Sequence, residues 1–99
     1  MDVRFHRLAI REYEETQSWY ERRREGLGEA FTDEVDRAIA RIAKSPNRGP
    51  VCFVKFRRVR LRRFPYLLYD YVVDDSLALV LAVAHARRRS GYWRRRLTN

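Results

Sequence analysis

The chain has 99 residues and a formal net charge of +9, and of its 22 Lys and Arg only Lys44 and Lys55 are lysine. That length closes one hydrophobic core spanning 1–99 and excludes a second domain, while 45% hydrophobic residues exclude an intrinsically disordered chain even with 35% charged. An arginine surplus of this size points to an acidic partner, whether nucleic acid, an anionic membrane surface or an acidic polypeptide.

In chain order, Val3 and Phe5 alternate with Asp2, Arg4 and His6, which predicts a short edge strand with one apolar side. From about Leu8 the period changes: Ala9, Tyr13, Thr16 and Tyr20 line one helical face, with Trp19 beside it and Glu12, Glu14, Glu15 and Glu21 on the rest, so a first helix runs to about Arg24. Gly26 stands where a left-handed cap is expected. A second stripe, Leu27, Phe31, Val35, Ala38 and Ile42, completes a helical hairpin that Ser45-Pro46-Asn47 stops before a loop at Asn47 to Pro50. Val51 to Arg63 leads into a strand on which Arg58, Arg60 and Arg62 alternate with Val59 and Leu61, placing guanidinium groups on one face. Tyr66 to Val73 and Leu77 to Ala84 read as strands joined by the turn Asp74-Asp75-Ser76 into an antiparallel hairpin. Ala86 to Gly91 is a basic turn, and Tyr92 to Arg96 fills one or two helical turns. The predicted fold is α+β: an N-terminal strand, a helical hairpin packed on one face of a mostly antiparallel four-stranded sheet, and a short C-terminal helix, with the basic face partly open.

Several chemistries find no support. Cys52 is alone, which leaves no disulfide framework or cysteine metal site and fits a reducing cytoplasm. His6 and His85 lack companions at ligand spacing, so neither metal nor cofactor is expected. The glycines form no phosphate-cradling loop, and Ser18, Ser45, Ser76 and Ser90 have no nucleophile-elbow context. The N-terminus lacks a signal-peptide profile and no run reaches the ~20 apolar residues of a membrane span, so the expected setting is cytoplasmic and away from membranes.

The suggestive constellation is Arg58 and Arg60 on one strand face, then His85, Arg87, Arg88, Arg89 and Tyr92 after the last strand. Metal-independent RNA cleavage needs a base, an acid and positive charge on the developing phosphorane. Arginine supplies only the charge, since its pKa exceeds ~12; His85 or Tyr92 then moves the protons. The plainer readings are a satisfied histidine at a strand end, Tyr92 and Trp93 anchoring the tail, and arginines forming a solvated face.

Taken in order, Trp19-Tyr20, Gly26-Leu27-Gly28 with Phe31, Ile42 with Ser45-Pro46, the arginine strand leading to Phe64-Pro65-Tyr66, Val80 to Val83 then His85, and the ending Arg88-Arg89 with Tyr92-Trp93 span almost the whole chain. The set resembles the RelE/ParE superfamily, the toxin halves of bacterial type II toxin–antitoxin systems, often described as plasmid stabilisation proteins. In the RelE-like branch, ribosome-dependent mRNA endoribonucleases, the resemblance implies catalytic roles for Arg58, Arg60 and Tyr92, supported by His85 and Arg88. Leu67 and Ala86 stand where that branch carries two further arginines. Losing one phosphate-stabilising charge costs ~100-fold or more in rate, so the resemblance favours the ParE-like branch, whose members poison DNA gyrase without hydrolysing a substrate. It implies growth arrest and neutralisation by the acidic segment of a cognate antitoxin in a hetero-oligomer, with Arg58, Arg60, Arg62, Arg87, Arg88, Arg89 and Trp93 binding antitoxin or target. A non-toxic binding module is the third reading.

Overall fold

The computed structural model describes residues 1–44, 51–52, 55–89 and 91–98, with backbone alone at 51, 52 and 98. Strand β1 (Asp2–Phe5) precedes helices α1 (Arg7–Arg23) and α2 (Leu27–Lys44), followed by β2 (Val51–Cys52), β3 (Phe56–Arg60), β4 (Tyr66–Asp74), β5 (Leu77–His85) and a 3-10 helix (Arg94–Thr98). The sheet order is β1-β5-β4-β3-β2. This is the expected α+β arrangement, with the two-residue β2 added to the four strands read from the sequence. β1 takes its expected edge place, and it runs parallel to β5, with Phe5 opposite Val80; the other pairings are antiparallel. The Ser45-Pro46-Asn47 stop, the loop Asn47 to Pro50 and Ser90 lie outside the described residues, as does the side chain of Cys52.

The helical hairpin closes at a tight corner. Gly26 carries φ +87°, a left-handed backbone that side chains resist. Glu21, in the last turn of α1, accepts hydrogen bonds from the amides of Gly26 and Gly28 at 3.0 and 2.9 Å, capping the start of α2. A Cβ at Gly28 would stand 2.8 Å from the Gln17 carbonyl, so the helices approach here only because this residue has none. At the other end of α1, His6 caps the helix through Nδ1, which accepts from the Leu8 amide at 3.1 Å.

Between the hairpin and the sheet lies a core of Ala9, Phe31, Val35, Ala38 and Ile42 from the helices and Leu61, Phe64, Leu68, Ala78, Val80 and Val83 from the sheet side. Aromatic rings join the layers: Phe64 meets Tyr20 at 4.8 Å and Phe31 at 5.3 Å, both edge to face. The opposite sheet face has a second cluster of Phe56, Leu67, Tyr69, Leu81, Ala82 and Ala84, roofed by Trp93. The C-terminal segment therefore covers part of the face expected to be open.

β3 ends at Arg60, so the alternation read through Arg62 stops one pair early. The chain then bends toward α2, where the buried Glu34 accepts from the Arg62 and Arg63 amides at 2.9 and 3.3 Å and pairs with Arg37. Burial alone would raise the Glu34 pKa, but the two amides and Arg37 together hold it below the ordinary value. A carboxyl with a depressed folded-state pKa contributes stability that is present above the unfolded value, here near 4.5, and lost as pH falls through the folded one. Glu34→Gln is expected to cost about 1–3 kcal/mol at neutral pH. It should also flatten the acid limb of the stability curve, as denaturant melts from pH 6 downward will show.

Candidate functional site

Cross-strand neighbours share a sheet face, which fixes where the arginines point. Arg60 is opposite Leu67, itself opposite Ala84; Arg58 is opposite Tyr69, itself opposite Ala82. These rows belong to the face away from the helices, where Leu67, Tyr69, Ala82 and Ala84 are buried while both arginines stay exposed. Their guanidinium groups thus border the apolar patch that Trp93 covers. Arg62, Arg87 and Arg89 are also exposed, the first in the bend after β3 and the others in the turn after β5.

Tyr92 reaches this face but turns its hydroxyl elsewhere. The phenol donates to Glu12 of α1 at 2.6 Å. Glu12 also accepts two hydrogen bonds from Arg96, both at 2.9 Å, and one from the Val83 amide at 3.0 Å. Arg88 lies 3.7 Å from the same carboxylate, with its guanidinium 3.6 Å above the Tyr92 ring. The cause lies in strand lengths. β1 reaches only Val80, leaving the outer edge of β5 beyond it with backbone groups to satisfy. Arg96 donates to the Leu81 carbonyl at 2.7 Å and Glu12 takes the Val83 amide, so two side chains stand in for a strand.

Burial first, then the bond to Glu12, pushes the Tyr92 phenol well above its ordinary pKa. Desolvation alone would lower the Arg96 guanidinium, but Glu12 and Tyr92 together raise it. Tyr92 is therefore held as a neutral donor.

The sequence-derived site residues do not all converge. Arg58 and Arg60 stand on β3, two strand spacings or about 10 Å from β5, and Tyr92 points its hydroxyl past the far edge of β5. His85, grouped with the arginines from sequence, lies on the other face. It follows Ala84 on a strand, so its side chain points opposite, with its ring edge-on to Tyr66 at 5.2 Å on the helix side. Its Nδ1 accepts from the Arg87 amide at 3.0 Å, the strand-end role that sequence also allowed. Trp93, offered as a binding residue, is 0% exposed and packs on Tyr69 at 4.6 Å and Phe56 at 4.9 Å, so it presents no area to a partner. Glu12 and Arg96 were not singled out from sequence. Glu12 looks like any other acid on the polar side of α1, and its partners lie 71 to 84 residues away.

Among the described residues no group of three or more His, Cys, Asp or Glu is placed to hold a metal. No helix among them is long and apolar enough to cross a membrane. A comparison with curated protein sequences gives no match. Among solved structures, the fold is similar to a chain of the chromosomal ParDE toxin–antitoxin system from P. aeruginosa. The TM-score is 0.67 at 17% identity, over 86% of this chain and 95% of the other. The family model for the ParE toxin of the type II toxin–antitoxin system parDE matches residues 3–90. With nearly the whole chain matched, from β1 through the turn after β5, the chain belongs to the ParE toxins within the RelE/ParE superfamily.

Proposed function

We propose that this toxin arrests growth by binding DNA gyrase through its arginine face rather than by cleaving RNA, and that the acidic segment of its cognate antitoxin neutralises it over the same surface. The observation that carries this reading is the state of Tyr92. RNA cleavage needs groups that move protons, and Tyr92, the phenol that the resemblance offers for that role, is tied to Glu12 and Arg96 with a raised pKa. His85 faces the other side of the sheet, and arginine does not exchange protons at working pH. Leu67, moreover, is buried opposite Arg60 where a further cation is expected of a nuclease. What remains on the surface is a forked-donor array of Arg58, Arg60, Arg62, Arg87, Arg88 and Arg89, suited to binding carboxylates.

The test is to induce the chain without antitoxin in a bacterial host and follow thymidine and methionine incorporation over the first minutes. Thymidine incorporation is expected to fall first; an initial collapse of methionine incorporation overturns the reading in favour of ribosome-dependent mRNA cleavage. Tyr92→Phe sharpens the distinction. It removes a hydrogen bond to a charged acceptor and is expected to cost about 1.5–3 kcal/mol of stability. Growth arrest should persist at a temperature where the variant is folded, whereas an RNase relying on this phenol would lose it.

A further inference from the structure

β1 is an outer strand of the sheet, and its far side is left unpaired. The Asp2 amide donates to the Ser76 carbonyl at 2.8 Å and the His6 amide to the Val80 carbonyl at 2.9 Å, so the even-numbered residues turn their backbone groups toward β5. Val3 and Phe5 therefore turn theirs outward, where their amides and carbonyls have no hydrogen-bond partner among the described residues. Beside this edge, where β1 meets the helices, lies a groove of about 400 Å³ whose apolar lining includes Val3, Phe5, Ile10 and Ile39. Two carboxylates, Glu14 and Asp36, also line it. Met1, just before the strand, and Ile10, in the first turn of α1, are both exposed. A bare strand edge next to an apolar groove is a template for another strand.

We infer that this edge pairs with the same edge of a second copy of the chain, β1 against β1 in antiparallel sense, about a two-fold axis at Arg4. Parity restricts the register, because only odd-numbered residues offer backbone groups on this side. Val3 opposite Phe5 uses all of them, in four hydrogen bonds. Continuing that register brings the second copy's Met1 to the first turn of α1, beside Ile10, so two exposed apolar side chains cover each other. The side chains of Val3 and Phe5 pack toward the helices, which leaves Asp2 and Arg4 on the other face. There the two Arg4 side chains meet at the axis, and each lies diagonal to the other copy's Asp2, within reach of a long side chain. The acidic segment of an antitoxin fits this edge less well, since Glu14 and Asp36 repel its carboxylates. A two-fold of this kind is perpendicular to the sheet, so the arginine faces of both copies stay on one side and a bivalent partner can engage the pair.

The experiment uses the purified toxin alone, in sedimentation velocity from low micromolar concentration to the solubility limit. One short strand is a small contact, and each copy carries a net charge of +9, so association is expected to be weak and to be opposed at long range. The mass should rise from one chain to two with concentration, and the dimer should tighten several-fold between about 0.1 and about 1 M salt, as the Debye length falls from about 10 to about 3 Å. Val3→Pro removes the outward amide and no bond to β5, a change that edge strands tolerate. By symmetry it deletes two of the four bonds and should weaken the dimer about tenfold or more. Ile10→Glu, outside the strand, should weaken it as well and decides the matter if the proline variant does not fold. Trp19→Ala removes a comparably exposed apolar side chain about two and a half turns along α1 and should leave the dimer unchanged. Circular dichroism checks the fold of each variant. A single mass at every concentration and at both salts overturns the inference. Association that folded Val3→Pro or Ile10→Glu retains, or that Trp19→Ala weakens equally, overturns it too, because the contact then lies elsewhere. Amide exchange followed by NMR reads the edge directly: exchange at Val3 and Phe5 should slow as the toxin is concentrated. Amides that slow only when antitoxin is added assign the edge to the antitoxin instead. Gyrase takes no part in these measurements, so the pulse-label result stands or falls separately.

Discussion

Replacing Glu12 by Ala is expected to lower the stability of the free toxin by about 3 kcal/mol, because it removes one partner of a largely buried ion pair and leaves the other without its counter-charge. The Glu12 and Arg96 side chains are 14% and 12% exposed, so solvent screens them little. The substitution strands more than a charge. Tyr92 loses its acceptor, the Val83 amide loses the carboxylate that covers it, and Arg96 is left with the Leu81 carbonyl and the Tyr92 ring. For a chain of this size the melting temperature should drop by roughly 12–24 °C, measurable by circular dichroism. Glu12→Gln retains acceptors for the phenol and the amide and should lie between the variant and the parent. Combining Glu12→Ala with Arg96→Met should cost less than the two changes summed, since the second removes the cation that the first left unpaired. A strictly additive result would show that the contacts do not act as one unit.

The second large effect runs the other way: Asp70→Val should stabilise the protein at neutral pH. Asp70 is 1% exposed, on β4 opposite Arg57 and, across a bulge, opposite Val80, and neither carboxylate oxygen has a hydrogen-bond partner among the described residues. Burial raises its pKa from 3.8 to about 7, and Arg57 offsets only part of that. Because the folded-state value is the higher one, the folded chain binds the extra proton, and stability falls as pH rises from about 4 through about 7. A shift of about three units corresponds to a penalty on the order of 4 kcal/mol above that window. Chemical denaturation of the parent between pH 4 and 8 should show this decline, and the Asp70→Val variant should lack it. A parent whose stability is flat over that range would mean that Asp70 stays ionised at little cost.

The two helices and the β4–β5 hairpin were legible in the sequence because each is set by a local period: 3.6 for the stripes from Ala9 to Tyr20 and from Leu27 to Ile42, and an unbroken apolar run for Leu77 to Ala84. Gly26 was equally plain, since a positive φ leaves few alternatives to glycine. The parallel pairing of β1 was not, for nothing in four residues states the direction of a partner 75 positions away. Asp70 sat in an apolar strand with no local mark of its burial, and the bulge between Tyr69 and Asp70 that settles its facing is a tertiary feature. At the candidate site Arg58 and Arg60 share one face of β3, as the alternation implied, whereas Arg62 falls in the bend beyond the strand. The error with His85 was one of phase. Grouping it with the residues that follow ignored that it closes a strand, where one step in register reverses a side chain.

The contrast between the two tryptophans gives this toxin a pair of optical reporters on opposite sides of the molecule. Trp93 is sealed against Phe56 and Tyr69, whereas Trp19 is 45% exposed on α1, with the Arg23 guanidinium 4.2 Å above its ring. Trp93 should emit toward the blue and resist aqueous quenchers, and Trp19 should emit toward the red and be quenched readily. Loosening of the C-terminal segment then registers as a red shift of the protected component. A partner seated on the helical hairpin registers as lost quenching of the exposed one, so a single spectrum separates release of the tail from docking on α1.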